Sequence, residues 1–445
     1  MVNPSIFKAY DIRGVYPEEL SGEDAHAIGA ATIAHLGATR VAVARDMRRS
    51  GPELAAELIH GMVEQGAEVT DLELCSTDEL YFAVGKFGYQ AGVMISASHN
   101  PAKYNGFKFC RENAISISSE TGLNAIRDLA VKGPLPPKPN QGSVHTRDVM
   151  ADFVQHVLSF IDRSAIRPLR LCIDAGNGMG GLIVPEVFKY LPCDVTPLFF
   201  ELDGSFPNHQ PSPIEPENMV DVQRAVRETH ADMGVAFDGD ADRMFITDER
   251  GELVGGDMVT ALVAKALLAR NPGATILYNL ICSRSVPEVV ATAGGKAIRT
   301  RVGHSFIKAQ MRETNAIFGG EHSGHFYFRD NWFADSGMIA LLTVLELVSR
   351  ENKPVSELVH SISTRVRSGE INSHVDDVQA RLKAIAEHFA NGEQDWLDGL
   401  TAQYKDWWFN VRPSNTEPLL RLNVEGDTRE LMEKGRDEVL AVIRG

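Results

Sequence analysis

Residues 91–101 read Ala91-Gly-Val-Met-Ile-Ser-Ala-Ser-His-Asn-Pro101, an apolar run that breaks into a polar loop closed by proline. The run predicts a buried strand, and Ser-His-Asn-Pro predicts a tight turn that ends it. The same change of character returns twice: Met233-Gly-Val-Ala-Phe237 leads into Asp238-Gly-Asp-Ala-Asp-Arg243, and Asn315-Ala-Ile-Phe318 leads into Gly320-Glu-His-Ser-Gly-His325. In open α/β sheets ligands sit beyond the carboxyl ends of strands, so three such loops predict three similar units that share one cleft between domains.

The flanking sequence agrees. Arg40-Val-Ala-Val-Ala-Arg45 precedes a stretch from Gly51 to Gly66 with Leu54, Leu58, Ile59 and Met62 at helical spacing. Leu171-Cys-Ile173 precedes a predicted helix at 182–190, and Thr275-Ile-Leu-Tyr278 precedes another near 286–293. This alternation is α/β patterning. The tail differs, with a helix predicted near 378–388, strands around 404–411 and 419–424, and a last helix from Thr428. The expected fold class is therefore three similar α/β domains followed by a smaller α+β domain. Gly133-Pro-Leu-Pro-Pro-Lys-Pro-Asn-Gln-Gly142 reads as a linker, and the predicted domains are 1–143, 144–250, 251–366 and 367–445.

A chain of 445 residues at 44% hydrophobic and 23% charged can bury several cores. The N-terminus has no apolar signal segment, and the longest oily run, Met338 to Leu345, is too short to span a bilayer. Five scattered cysteines without a CxxC pair fit neither a disulfide framework nor a zinc knuckle and point to a reducing cytoplasm. A formal net charge of −16 disfavours nucleic acid and anionic membranes as partners. An anionic substrate would need local arginines, lysines and N–H groups.

Ser98 is placed to project its hydroxyl into the cleft, although Ser-His-Asn-Pro alone is equally consistent with a plain turn. Adjacent Ser98 and His99 would point to opposite faces of a continuing strand, and the flanks lack GxSxG, so a serine hydrolase is not indicated. Lys108, in Tyr104-Asn-Gly-Phe-Lys108, follows closely enough to neutralise a phosphate on the serine. Asp238, Asp240 and Asp242 concentrate three hard oxygen ligands that suit magnesium beside a phosphate. An EF-hand also opens Asp-x-Asp-x-Asp and would use Glu249 at position twelve, but its sixth position here is Arg243 rather than glycine.

Glu321, Ser323 and His325 alternate and can offer donors and acceptors to a polyol. Glu321, His322 and His325 also form a possible transition-metal set. Arg412-Pro-Ser-Asn-Thr-Glu-Pro418 offers a guanidinium, hydroxyls and an amide to a phosphate, with Arg421 on the next strand. Gly176-Asn-Gly-Met-Gly-Gly181 satisfies G-x-G-x-x-G, with Asp194 and Glu201 downstream; it is either a dinucleotide loop of an NAD-dependent oxidoreductase or a tight strand-to-helix turn.

Together, Lys8-Ala-Tyr-Asp-Ile-Arg-Gly14, the Ser98 loop, the aspartate loop, Gly320–His325 and Arg412–Pro418 closely resemble, in order and spread, the α-D-phosphohexomutase family. The resemblance implies mixed sheets, a central cleft, a mobile phosphate-binding cap, and interconversion of hexose 6- and 1-phosphates through phosphoserine 98 and a hexose 1,6-bisphosphate. It implies Mg2+ held by Ser98, Asp238, Asp240 and Asp242, with Tyr10, Arg13, Lys108 and Arg243 near the reacting phosphate and His304 transferring protons. Arg284, Glu321, Ser323, His325, Arg412, Ser414, Asn415, Thr416 and Arg421 would bind substrate. The enzyme would act as a monomer or homodimer in the cytoplasm. Gly-Glu-x-Ser-Gly-His resembles the phosphomannomutase/phosphoglucomutase branch. The phosphoglucosamine mutase branch usually has glutamine where His322 stands, which leaves that sister specificity as the alternative.

Overall fold

The structure is a computed structural model that describes residues 1–414 and 419–445. Its strands form four sheets that follow the four predicted units in order, except that Leu253–Val254 joins the second sheet beyond residue 250. In the first, Ala91–Ile95 pairs parallel with Arg40–Arg45, which pairs parallel with Glu68–Leu74, while Tyr104–Arg111 returns antiparallel beside Ala91–Ile95. The second sheet repeats the scheme: Met233–Phe237 lies parallel to Arg170–Asp174 and antiparallel to Met244–Thr247. The third does so again, with Phe318–Gly320 parallel to Thr275–Asn279 and antiparallel to Phe326–Phe328. Each of the three loops picked out in the sequence therefore sits where a parallel strand reverses into an antiparallel partner.

Local signals account for the element ends. Ser21 and Asp24 form a capping box at the start of helix Gly22–Leu36, Ser76 and Glu79 form another at Thr77–Phe87, and Thr428 caps Arg429–Arg444. Helix Gly337–Glu351 contains the oily run at 338–345 and is buried on nearly all sides, packed against helix Gly256–Arg270. It is a core helix. Among the described residues, no helix is long and apolar enough to cross a membrane.

Two features differ from the sequence-based expectation. The Gly133–Gly142 stretch is no free linker, because Lys138 N–H donates to Glu64 O and Gly142 N–H to Val63 O. After it, Ser143–Thr146 pairs parallel with Glu68–Asp71, so the first sheet runs past residue 143. The second and third sheets also share one apolar core, in which Ile173, Val235, Ile276 and Phe318 belong to a single cluster. The fourth sheet is antiparallel throughout, has its own core around Phe409, Leu422 and Ile385, and carries helices Val378–His388 and Arg429–Arg444.

Candidate active site

Ser98 occupies the left-handed region at φ +50°, where a short polar side chain is tolerated and the hydroxyl is turned out of the strand. Ser98 Oγ donates to Asp238 Oδ2 at 2.7 Å and accepts from Arg243 Nη2 at 2.8 Å. The serine and aspartate loops meet closely because a Cβ on Gly239 would lie 2.5 Å from Ser98 O. Only glycine fits there.

The three aspartates are buried, and one ligand oxygen from each lies within 4.8 Å of the others. Among the described residues, buried Asp240 Oδ1 and Asp242 Oδ1 have no hydrogen-bond partner. Lys108 Nζ donates to Asp240 Oδ2 and Asp242 Oδ2, both at 2.6 Å. An ammonium thus stands where hard oxygens converge, so the donor set fits a divalent cation of the magnesium class. Burial, reinforced by Asp242 and Asp240, pushes Asp238 up to about 7. Burial acts the same way on Asp240, but Lys108 and Thr77 outweigh it and hold this carboxyl below its usual range.

The reading of this loop as an EF-hand fails on its frame, because it connects two antiparallel strands and Glu249 instead accepts from Ser356 N at 3.1 Å. The dinucleotide reading fails on space. A Cβ on Gly178 would lie 2.6 Å from Gly239 O, one on Gly181 2.1 Å from Phe200 O, and Met179 N–H donates to Gly239 O at 2.9 Å. The Gly176–Gly181 turn is a buttress filled by the protein's own backbone, and it supports the aspartate loop from behind.

Tyr10, Arg13, Ser98, Lys108, Arg243, His304 and His325 line one pocket. Arg13 Nη1 donates to Asn100 Oδ1 and its Nε to Asp11 Oδ2. The His304 ring stands edge-on to Tyr10 at 4.8 Å, and burial followed by the charge of Lys308 keeps this imidazole well below its ordinary pKa, hence neutral. Burial also opposes protonation of His325, but Asp242 and Asp335 outweigh it and raise its pKa. His325 Nδ1 lies 2.9 Å from Asp335 Oδ2.

Other predicted site residues lie elsewhere or face other partners. Glu321 does not share an open face with Ser323 and His325: it is buried, accepting from Tyr327 Oη at 2.6 Å, Gly303 N at 3.1 Å and Asn279 Nδ2 at 3.3 Å. Ser323 is half-buried on the same loop. Among the described residues, Glu321, His322 and His325 do not converge as a metal set. Arg284 reaches into the fourth unit, donating to Tyr404 O at 2.8 Å and Gln403 Oε1 at 3.2 Å. Arg412 Nη2 and Arg421 Nη1 both donate to Glu370, at 2.6 and 3.0 Å, while their buried Nε atoms find no hydrogen-bond partner among the described residues. Ser414 N–H donates to Leu419 O. Asn415 and Thr416 lie outside the described residues.

Several residues of this region carry no obvious mark in the sequence. Arg48 is fully buried, paired with Asp46, and donates to the carbonyls of Ser98, Asn100, Pro101 and Tyr104 at 2.6–3.0 Å. Thr77 Oγ1 donates to Asp240 Oδ2 at 2.5 Å, and Lys308 pairs with Asp335 at 2.6 Å. Asp46-Met-Arg48 also follows a buried strand, Arg40–Arg45, and that was the available signal.

Models of all four phosphoglucomutase/phosphomannomutase domains match the chain: α/β/α domain I at 4–134, domain II at 151–251, domain III at 255–366 and the C-terminal domain at 370–442. A Xanthomonas campestris protein described as phosphohexose mutases is 42% identical, with 99% of each chain covered. A phosphomannomutase of Salmonella montevideo is 40% identical, with 100% of each covered. The crystal structure of a phosphoglucomutase/phosphomannomutase family protein from Burkholderia thailandensis superimposes with TM-score 0.91 at 34% identity, covering 100% of this chain and 98% of that one.

Proposed function

The chain belongs to the phosphoglucomutase/phosphomannomutase family, is a hexose phosphate mutase on that account, and from this premise we propose that it works through a phosphorylated Ser98. In this reading phosphoserine 98 gives its phosphoryl group to the free hydroxyl of a mannose or glucose phosphate. The bond from Ser98 Oγ to phosphorus breaks as the bond to the sugar oxygen forms, and the hydroxyl proton passes to neutral His304. The resulting 1,6-bisphosphate turns over in the cleft and returns its other phosphate to Ser98.

Asp238, Asp240 and Asp242 would hold Mg2+ together with the Ser98 phosphate, and that ion, when bound, supplies charge stabilisation to the transferring group. Arg243, Lys108 and Arg13 add fixed positive charge around the same oxygens. Arg412, Arg421 and Ser414, with Asn415 and Thr416, would grip the phosphate that is not reacting. Ser323 and the loop around Glu321 would meet the sugar hydroxyls. This division of labour follows the predicted spans 1–143, 144–250, 251–366 and 367–445, with the first sheet extended to Thr146 and the second to Val254, the last span being a cap. Mobility of the cap is supported by its polar contacts with the third unit, such as Arg284 on the carbonyl of Tyr404 and Arg365 with Asp427 at 3.1 Å.

The observation that carries the reading is the 2.7 Å contact between Ser98 Oγ and a carboxylate of the aspartate cluster. Intact mass and peptide mapping should find one phosphoryl group on Ser98, and Ser98→Ala should lose nearly all turnover while unfolding as the wild type does. Full activity in that variant would sink the covalent route. Comparing kcat/KM on mannose, glucose and glucosamine phosphates fixes the sugar.

A further inference from the structure

Helices Gly22–Leu36 and Gly51–Glu64 cover the first sheet away from the reaction pocket and approach each other to backbone contact. A Cβ on Gly61 would lie 2.1 Å from His26 O, and one on Gly29 2.1 Å from Leu58 O. Such glycines fix the register of the two helices. His26 is thereby set across from His60 and Glu64, which stand one turn apart on a single face of the second helix.

His26 Nε2 lies 3.1 Å from Glu64 Oε2, His60 Nε2 lies 3.5 Å from Glu64 Oε1, and the two imidazole centroids are 5.0 Å apart. One donor atom from each residue falls within 4.8 Å of the other two. Ligand atoms about 2.0–2.2 Å from a common tetrahedral ion are separated by distances of this order. The group is accessible without being loose: the His60 side chain is 59% exposed, those of His26 and Glu64 21% and 16%. His26 and His60 line a cavity of about 380 Å³ shared with Glu23, Asp24 and Glu57, whose carboxylates favour a cation there.

We propose that His26, His60 and Glu64 form a second metal site, for a divalent cation of the zinc class, with its remaining coordination position open to water. Two neutral imidazoles and one carboxylate suit zinc and its transition-metal neighbours, whereas magnesium takes oxygen ligands. The two sites therefore sort cations by chemistry, oxygens in the cleft and nitrogens on the outer helices. An ion here cross-links the two helices and stabilises the first unit by mass action.

The test uses the full-length protein, stripped by a chelator and then saturated with Mg2+ to fill the cleft. Calorimetric titration with Zn2+ alone should find one equivalent in the wild type that is absent or clearly weaker in His60→Ala, which lacks a coordinating nitrogen. Co2+ should give visible d–d absorption that His60→Ala loses. Mutase activity of His60→Ala should match wild type, because this residue stands outside the cleft. Equal Zn2+ stoichiometry and affinity in wild type and variant, or zinc uptake that disappears only in Asp240→Asn, would overturn the proposal. His60 is exposed, so its replacement is read in a folded protein; His26→Ala serves as the second, more buried ligand variant.

Discussion

Replacing Arg48 by alanine isolates the device that holds the Ser98 loop. This guanidinium is fully buried, faces Asp46 at 3.2 Å, and donates to four carbonyls of the loop that carries Ser98, with the Phe206 ring beneath it at 5.1 Å. Removing one partner of a buried ion pair costs about 3–5 kcal/mol because the other charge stays desolvated. Part of the loss at the orphaned carbonyls is recovered by water entering the space. A net destabilisation of the first unit by about 4 kcal/mol is expected, a large share of the ~5–15 kcal/mol that holds a domain together. The functional effect follows from position: an error of about 1 Å in a reacting group can cost roughly a hundredfold in rate. Arg48→Lys keeps the charge but replaces a five-donor fork by three donors, so it should fall between alanine and wild type. The assay is urea unfolding combined with hydrogen exchange of the amides from 98 to 104 and kcat for hexose phosphate. Wild-type protection and wild-type kcat in Arg48→Ala would refute the clamp.

Two further outcomes are expected. Burial raises Glu79 to about 7 from its usual value of 4.5, against its bonds to Ser76. The folded state therefore binds more protons than the unfolded state between those values, and stability falls as pH rises through that window. Glu79→Gln should flatten the wild-type slope by up to about 3 kcal/mol across pH 4.5 to 7, and an unchanged slope in denaturant midpoints would contradict the assignment. Glu370→Gln removes the carboxylate that bridges Arg412 and Arg421; on the proposal that these arginines grip the substrate phosphate, KM for hexose phosphate should fall by roughly threefold to tenfold, about 1 kcal/mol. A raised KM would mean that Glu370 positions the arginines instead.

The three strand-to-loop transitions were legible because each strand is central and buried, giving a continuous apolar run with nothing polar until the loop begins. The aspartates were legible because carboxylates crowded at alternate positions repel one another strongly unless a cation lies between them. Arg48 was not, since Asp-Met-Arg-Arg looks like a solvated surface turn and only the folded loop supplies the carbonyls that use it. Asp335 was hidden likewise, a lone carboxylate whose partners Lys308 and His325 come from other elements. The polar face predicted for Glu321 failed because its alternation assumed an extended loop, whereas Gly324 at φ +85° folds the loop back and Tyr327 captures the carboxylate. No compositional break marks residue 250 because the second and third units were never separate cores.

The placement of each of the three loops between two strands already hydrogen-bonded to each other has a practical meaning for the molecule. Such a segment is moored at both ends by ladder hydrogen bonds, so only the short stretch between the moorings is left for loop-specific contacts to fix. The scaffold thereby fixes where the three loops meet, while their side chains remain free to differ on an unchanged frame.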